Sequence, residues 1–430
     1  MARHLGYRTR AALLGHRTRG AILAAILAAW APCAATPARA LDDLDVQIGK
    51  ALFKRPWTPA PTTTQADDGL GPLFDARSCA SCHPGGGRAS AAFDVSGQVA
   101  GRGMVLMIGQ ADGAADPVYG RRLQIDAVPG LVAEGIIAAD DTALPDGRHA
   151  RKPRLDALAY GPLDPKSGLS LRVAPDLHGR GAMAAVPDTA ILAVEKEQAE
   201  GHDGISGRAR RLPQKDGSFR VGRFGWKASH PSIESQSAEA FFLDLGLSNP
   251  LHPEPWGDCT AAQTACRAAP HGAHPAADGT PGFEIGAPVL DRVVAYVAAL
   301  PTPQGEAPAD AAGARLFAAT GCAACHRPQM PTADGGKARL YSDLLLHDMG
   351  PDLGDTMPEP GAGASDWRTP PLAGISQALA RETGLLHDGR ARSVAEAVSW
   401  HGGEAAPAAA RFRALSERER AALIAFVSSL

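Results

Sequence analysis

SCASCHP at 78–84 and GCAACHRP at 321–328 decide how this 430-residue chain is read. Each places two cysteines three positions apart, with a histidine directly after the second. Structural zinc wants four Cys/His ligands, usually as two close pairs. Here the pairs stand 243 residues apart and each brings its own histidine. A thioredoxin-type dithiol sits at a strand-to-helix turn and does not require the histidine. Covalent attachment of c-type haem satisfies every feature. The two thiols add across the vinyl groups on one edge of the macrocycle, and the next residue turns its imidazole beneath the iron. The expected cofactors are two covalently bound haem c. Their thioether cysteines are Cys79, Cys82, Cys322 and Cys325, and their proximal ligands His83 and His326. A haem also supplies a large apolar disc, which suits a chain with only 5% aromatic residues.

The first 40 residues carry six arginines and no acid, followed by the apolar run AILAAILAAW at 21–30 and by Ala38-Arg39-Ala40. This pattern predicts a secretory signal peptide over 1–40 and a periplasmic protein. A membrane anchor is the alternative, but the run is about half the ~20 residues that a spanning helix needs. No later stretch approaches that length, so no membrane span is expected in the mature chain. Trp30-Ala31-Pro32 is a poor approach to a lipidated Cys33. Removing the signal leaves 37 basic residues against 46 acidic ones, a net charge near −9. That balance argues against nucleic acid as a partner and suits a basic electron-carrier protein. Cys259 and Cys266, seven apart in a loop-like stretch, would form a local disulfide in an oxidising compartment; two free thiols are the alternative.

The chain repeats itself. Leu73-Phe74 precedes Cys79 and Leu316-Phe317 precedes Cys322 at the same offset, and similar apolar segments, RVVAYVAAL at 292–300 and ALIAFVSSL at 422–430, close the two halves. This predicts a mainly α chain with two cytochrome-c-like haem domains. Cys79 to Leu300 is 221 residues and Cys322 to Leu430 is 108, so the first unit carries an insertion of about 113. The predicted division is 41–100 with 235–304 as the first haem domain, 101–234 as a loop- and β-rich insertion, and 305–430 as the second haem domain. The insertion holds strand-like pieces such as GMVLMIG. PTPQGEAPADAAG at 301–313 reads as a linker.

RTPPLAGI, LLHDGRARSVAEAVSWHGGEA and ERERAALIAFVSSL resemble the bacterial di-haem cytochrome c peroxidases. Together with GLGPLF…SCASCH, DPVYGRRLQ, RVAP, RFGWKA and HDMGPDLGD, they place the resemblance with the di-haem oxidoreductase (putative peroxidase) family, over nearly the whole mature chain. In that superfamily a His-Asp-Gly precedes the sixth ligand of the second haem, a methionine, by fourteen positions; a tyrosine replaces it in the enzymes that mature methylamine dehydrogenase. Fourteen on from His387 is His401, so the resemblance implies His326/His401 ligation, with His347 and Met349 as rivals. Two imidazoles give a low-spin iron of lower potential than His/Met. His387 itself is expected to hydrogen-bond a propionate or the backbone.

The superfamily also places an interhaem tryptophan ten residues before a distal glutamine, then a Glu-Met-Gly. Trp226 and Gln236 match that spacing, and Asp244-Leu245-Gly246 stands in for the acid motif two residues early. The resemblance thus implies Trp226 as an electron relay, with Gln236 and Asp244 lining the distal pocket; Glu239 or Glu234 could replace Asp244. No histidine lies between His83 and His149, which leaves the sixth position of the first haem open or filled by Met104, Met107, His178 or Met183. The implied activity is reduction of peroxide, or its use to oxidise a substrate, at the first haem. Electrons would come through a bis-His second haem from a small donor protein, a cytochrome or cupredoxin. Related peroxidases also hold a calcium ion between domains. The alternatives are a non-catalytic di-haem electron shuttle and an accessory module in metal uptake.

Overall fold

Two helix crossings in this protein make the same contact. The Asp43–Lys54 helix packs on Ala287–Ala299, and the Ala311–Ala319 helix packs on Glu417–Ser428. The computed structural model describes residues 42–63, 68–144, 146–201, 204–274, 282–304 and 311–430. In it, Gly49 lies against the Arg292 carbonyl and Tyr296, while Gly313 lies against the Ala422 carbonyl and Phe426. One turn on from each glycine, a phenylalanine meets an aromatic ring of the partner helix. The Phe53 and Tyr296 centroids are 5.2 Å apart, and those of Phe317 and Phe426 are 5.4 Å apart. A Cβ at either glycine would run into the partner's backbone, so the close approach needs glycine at both places.

These two crossings match each other in a register that differs from the repeat the sequence suggests. Leu52-Phe53, not Leu73-Phe74, corresponds to Leu316-Phe317. Leu73–Phe74 is a short strand paired with Asp126–Ala127. The shared offset to the cysteines is a coincidence of spacing, because an irregular segment separates the first helix from its cluster.

The expectation of a mainly α chain is also corrected. The protein is mixed, with 31% helix and 18% strand, and the strands named here form two-stranded antiparallel ladders. The physical reason lies chiefly in 101–234, where short runs such as the all-apolar MVLMIG at 104–109 and the alternating GLSLRV at 168–173 suit strands and are too short for helices. Met104–Gly109 pairs with Gly168–Val173, Ile136–Ala143 with His149–Asp156, and Arg211–Pro213 with Phe219–Val221. The same stretch also holds the helices Arg180–Ala185 and Asp188–Glu200. A further ladder, Leu346–Asp348 with Asp366–Arg368, lies in the second half.

The Met104–Gly109 ladder has two different faces. Met104 and Leu106 fill a core with Leu123, Ile137 and Leu171. Val105, Met107 and Arg172 face a cavity instead. Residues 42–430 hold together as one compact unit. The expected signal peptide, Cys33 and residues 305–310 of the expected linker lie outside the described residues. No helix among the described residues is long and apolar enough to cross a membrane. Cys259 and Cys266 are joined as a disulfide, with Cα atoms 6.1 Å apart.

Candidate functional site

Both CxxCH clusters form single helical turns. Ser78 caps the first, accepting from the Ser81 amide at 3.2 Å, and the His83 amide donates to the Cys79 carbonyl at 2.9 Å. In the second, the His326 amide donates to the Cys322 carbonyl, also at 2.9 Å. One turn places both cysteines on one side, with the histidine next in line. Burial pushes the Cys79 and Cys82 thiols up to about 12, so neither is the low-pKa thiolate of a redox dithiol.

The histidines are set up as ligands. A carbonyl can only accept, so each ring nitrogen bonded to one carries the proton and the other nitrogen keeps its lone pair. His83 Nδ1 donates to the Gly87 carbonyl at 3.3 Å, His326 Nδ1 to that of Tyr341 at 3.1 Å, and His401 Nδ1 to that of Ala397 at 2.8 Å. All three thus leave Nε2 for a metal. Burial holds both His83 and His326 down to about 4, in the neutral form that ligation needs. For His326 the next cause after burial is the charge of His401. Around the second cluster, Phe317, Val394, Phe412, Leu423 and Phe426 form an apolar wall that includes Cys322 and Ala323 at its edge. His347 is not free to compete: its Nδ1 pairs with Glu404 at 2.8 Å and its Nε2 with Asp343 at 3.0 Å.

The first cluster opens onto a cavity of 510 Å³ lined by Cys79, Cys82 and His83, within the ~300–1,000 Å³ typical of cofactor pockets. Trp226, Gln236 and Asp244 line the same cavity. Gln236 and Asp244 share it because both lie on the Ile233–Leu245 helix, eight residues apart and so on one face. Ser232 caps that helix and Gly246 ends it in a left-handed conformation, φ +67°. Glu239 lines the cavity too, whereas Glu234 is exposed and does not. Among the methionines and histidine that could fill the sixth position, only Met107 lines the cavity. Its Sδ accepts from Arg122 at 3.3 Å. Met104 and Met183 are buried in separate cores, and His178 is bonded to Asp176 at 2.7 Å.

Several polar groups on the cavity wall are matched with a partner. Asp244 is paired with Arg122, which also lies 3.8 Å from Asp75. Glu239 accepts from His230 Nε2 at 2.8 Å, and His230 Nδ1 bonds Ser235 Oγ at 2.9 Å. Burial alone would raise the Glu239 carboxyl, but the His230 charge and hydrogen bond, with Arg122 and His252, hold it at about 2. Glu359 bridges Arg172 and Arg210 at 2.7 and 2.6 Å.

Trp226 extends the cavity towards the second half. Its Nε1 donates to the Val173 carbonyl at 2.9 Å, and its ring lies 6.5 Å from His387. His387 in turn stacks on Trp367, 3.7 Å away and 11° from parallel. Burial holds His387 at about 3, so this ring is neutral.

The sequence reading missed Arg122, His230, Arg172, Arg210 and Glu359. Three of them sat within or beside motifs already singled out: Arg122 in DPVYGRRLQ, Arg172 in RVAP, and His230 two residues beyond RFGWKA. Arg210 and Glu359 join Arg172 only through the fold.

The donor sets fit haem at both clusters. A family described as "di-haem oxidoreductase, putative peroxidase" matches residues 164–430, which include the second cluster, Trp226, Gln236, Glu239, Asp244 and His401. A solved hydrazine synthase from Kuenenia stuttgartiensis, pressurised with xenon, aligns with 98% of this chain and 100% of its own, at 13% identity and a TM-score of 0.31; a likeness that distant carries no argument. No curated protein matches the chain. The extent of the family match settles the classification: the chain belongs to the di-haem oxidoreductase family.

Proposed function

We propose that this is an exported di-haem c-type oxidoreductase that reduces peroxide, or uses it to oxidise a substrate, in the cavity beside His83. The observation that carries this reading is the gathering of His83, Gln236, Glu239, His230 and Trp226 around one cavity. Cys79, Cys82 and His83 would hold the first haem, and Cys322, Cys325 and His326 the second, with His401 as a further ligand. When bound, the haems supply the redox chemistry, an iron that takes up the oxidant and a second iron that exchanges electrons with it.

The chain's own work is proton handling and positioning. Breaking an O–O bond needs a proton moved from one oxygen to the other. Glu239, ionised and bonded to His230, can orient that imidazole on the cavity wall, and the pair offers a place for the proton to be taken up and returned. Asp244 is less suited to the task, because its partner Arg122 holds its protons too tightly to pass them on. Its place is to fix Arg122 on the cavity wall. Gln236 offers an amide to orient the oxidant. Trp226, between the cavity and His387, is the relay. Electrons would arrive from a small donor protein in the periplasm. Among the described residues, the one grouping of acids, cysteines and histidines at ligand spacing is Cys325, Asp343 and His347, beside the second CxxCH cluster.

Mass spectrometry of the exported protein tests the foundation, with two haem additions and loss of 1–40 expected. An EPR spectrum with and without peroxide tests the chemistry. One high-spin and one low-spin signal, the former altered by peroxide, is expected. Two low-spin signals indifferent to peroxide would return the protein to an electron shuttle.

A further inference from the structure

Buried cations in this protein generally come with acids. Among the described residues, Arg122 has Asp244, Arg172 and Arg210 share Glu359, Arg223 has Asp188, Lys227 has Asp355 and Arg390 has Asp388. Arg180 and Arg368 break the pattern. They are 7% and 2% exposed, and neither has a carboxylate partner. Arg180 gives Nε and Nη2 to the Asp176 carbonyl at 3.0 and 2.6 Å, and Nη1 to Met183 Sδ at 3.2 Å. Arg368 gives Nε to the Gly225 carbonyl at 3.0 Å and Nη1 to that of Thr369 at 2.8 Å. A buried guanidinium without a counter-charge is costly unless something else brings one. Burial draws the two down to about 10 and about 9, and the charge of Arg180 adds to the effect on Arg368.

Their positions say what they wait for. Arg180 lines the cavity that opens on His83. Arg368 is tied by its amide to the Trp226 carbonyl at 2.9 Å, and after Arg180 the next charge acting on it is that of Asp343. Ser342 Oγ donates to the same Thr369 carbonyl as Arg368 does, at 2.6 Å, and the next amide, that of Asp343, donates to the Cys325 carbonyl at 2.9 Å, so hydrogen bonds lead from Arg368 to the second cluster. A third guanidinium, Arg88, lies 5.3 Å over the Trp226 ring, its Nη2 on the Leu386 carbonyl and its Nε without a partner. The forked donor array of arginine matches a carboxylate.

We propose that Arg180 and Arg368 are carboxylate-binding residues for haem propionates, Arg180 for the haem held at Cys79, Cys82 and His83, and Arg368 for the one held at Cys322, Cys325 and His326. The assignment rests on the haem reading above. It gives the two guanidiniums their missing counter-charges and makes them positioning residues that set the potential of each iron.

The test uses the matured di-haem protein and the variants Arg180→Gln, Arg180→Lys and Arg368→Gln, each first shown by mass spectrometry to carry two haems. Absence of haem in the wild type would remove the foundation rather than this assignment. Spectroelectrochemical titration from pH 5 to 9 then reads each midpoint potential. Removing the Arg180 charge leaves a propionate uncompensated, which favours the ferric state and raises the propionate pKa. The first haem in Arg180→Gln should therefore have a lower potential that varies with pH where the wild type is flat, and Arg180→Lys should recover it. Arg368→Gln should do the same to the second haem alone. Unchanged potentials overturn the assignment. Acetate added to the wild type separates propionate from a free carboxylate substrate: a spectral shift that is lost in Arg180→Gln would overturn the proposal. If the variants do not mature, resonance Raman of the wild type decides, since unbonded propionate bending modes on both haems would also overturn it.

Discussion

Glu239 and His230 form a hydrogen-bonded pair 2.8 Å long on the wall of the cavity that opens on His83. Neither residue reaches the other by sequence proximity alone. The pair forms because His230 precedes the Ile233–Leu245 helix and turns back onto its second turn. Glu239→Gln keeps the size of the side chain and removes the base. It is expected to slow peroxide turnover by about 10²-fold or more, with both resting haem spectra unchanged. Asp244→Asn should instead loosen Arg122. Stopped-flow mixing with peroxide distinguishes the two. Because the Glu239 carboxyl is held at about 2, its ionised pairing contributes stability above the ordinary 4.5 and loses it as the pH falls from there towards 2.

His401→Ala is expected to convert the second haem from low-spin to high-spin, visible as a new EPR signal. His401→Met should keep it low-spin and raise its potential. His347→Ala should leave the spin state alone, because both nitrogens of His347 are already engaged by Asp343 and Glu404.

Gly313→Ala tests the helix crossing of the second half. Its Cβ would meet the Ala422 carbonyl, and overpacking of this kind costs typically 1–3 kcal/mol, about the loss expected here. Gly49→Ala should behave alike against Arg292. Chemical denaturation of both variants checks the equivalence; a crossing that tolerates either substitution without loss would contradict the tight approach.

Asp75 is buried at the end of the strand leading to the first cluster, and burial raises its carboxyl to about 7 against the pull of Arg122. A raised carboxylate favours the folded state while protonated. That contribution is full below the ordinary 3.8 and is lost as the pH rises to about 7. Asp75→Asn should remove this slope, so that the denaturation midpoint of the variant gains on the wild type as the pH climbs from 4 to 7.

The haem clusters were legible because their chemistry is local: one turn of chain holds both thiols and the imidazole. The common placement of Gln236 and Asp244 was legible for a similar reason, since one helix carries both. Arg122 was not, because it meets Asp244 across a fold that no spacing reports. The same holds for Glu359, which meets Arg172 and Arg210 from another part of the chain. The Leu-Phe offset misled because a dipeptide has the same letters in a helix and in a strand. Only the glycine one turn earlier, read with the closing helix, identifies Leu52-Phe53 as the true counterpart. The strand content was underestimated because the CxxCH clusters pointed to helical units, while the alternation at 168–173, opposite the all-apolar 104–109, marks a ladder.

That ladder has one side in an apolar core and the other on the cavity beside His83. Remodelling the inserted ribbon can therefore reshape what enters beside His83 while the two glycine-centred crossings stay untouched. Diversity among relatives in their choice of oxidisable compound would then be written at the positions of Val105, Met107 and Arg172, and conservation of fold at those of Met104, Leu106 and Leu171.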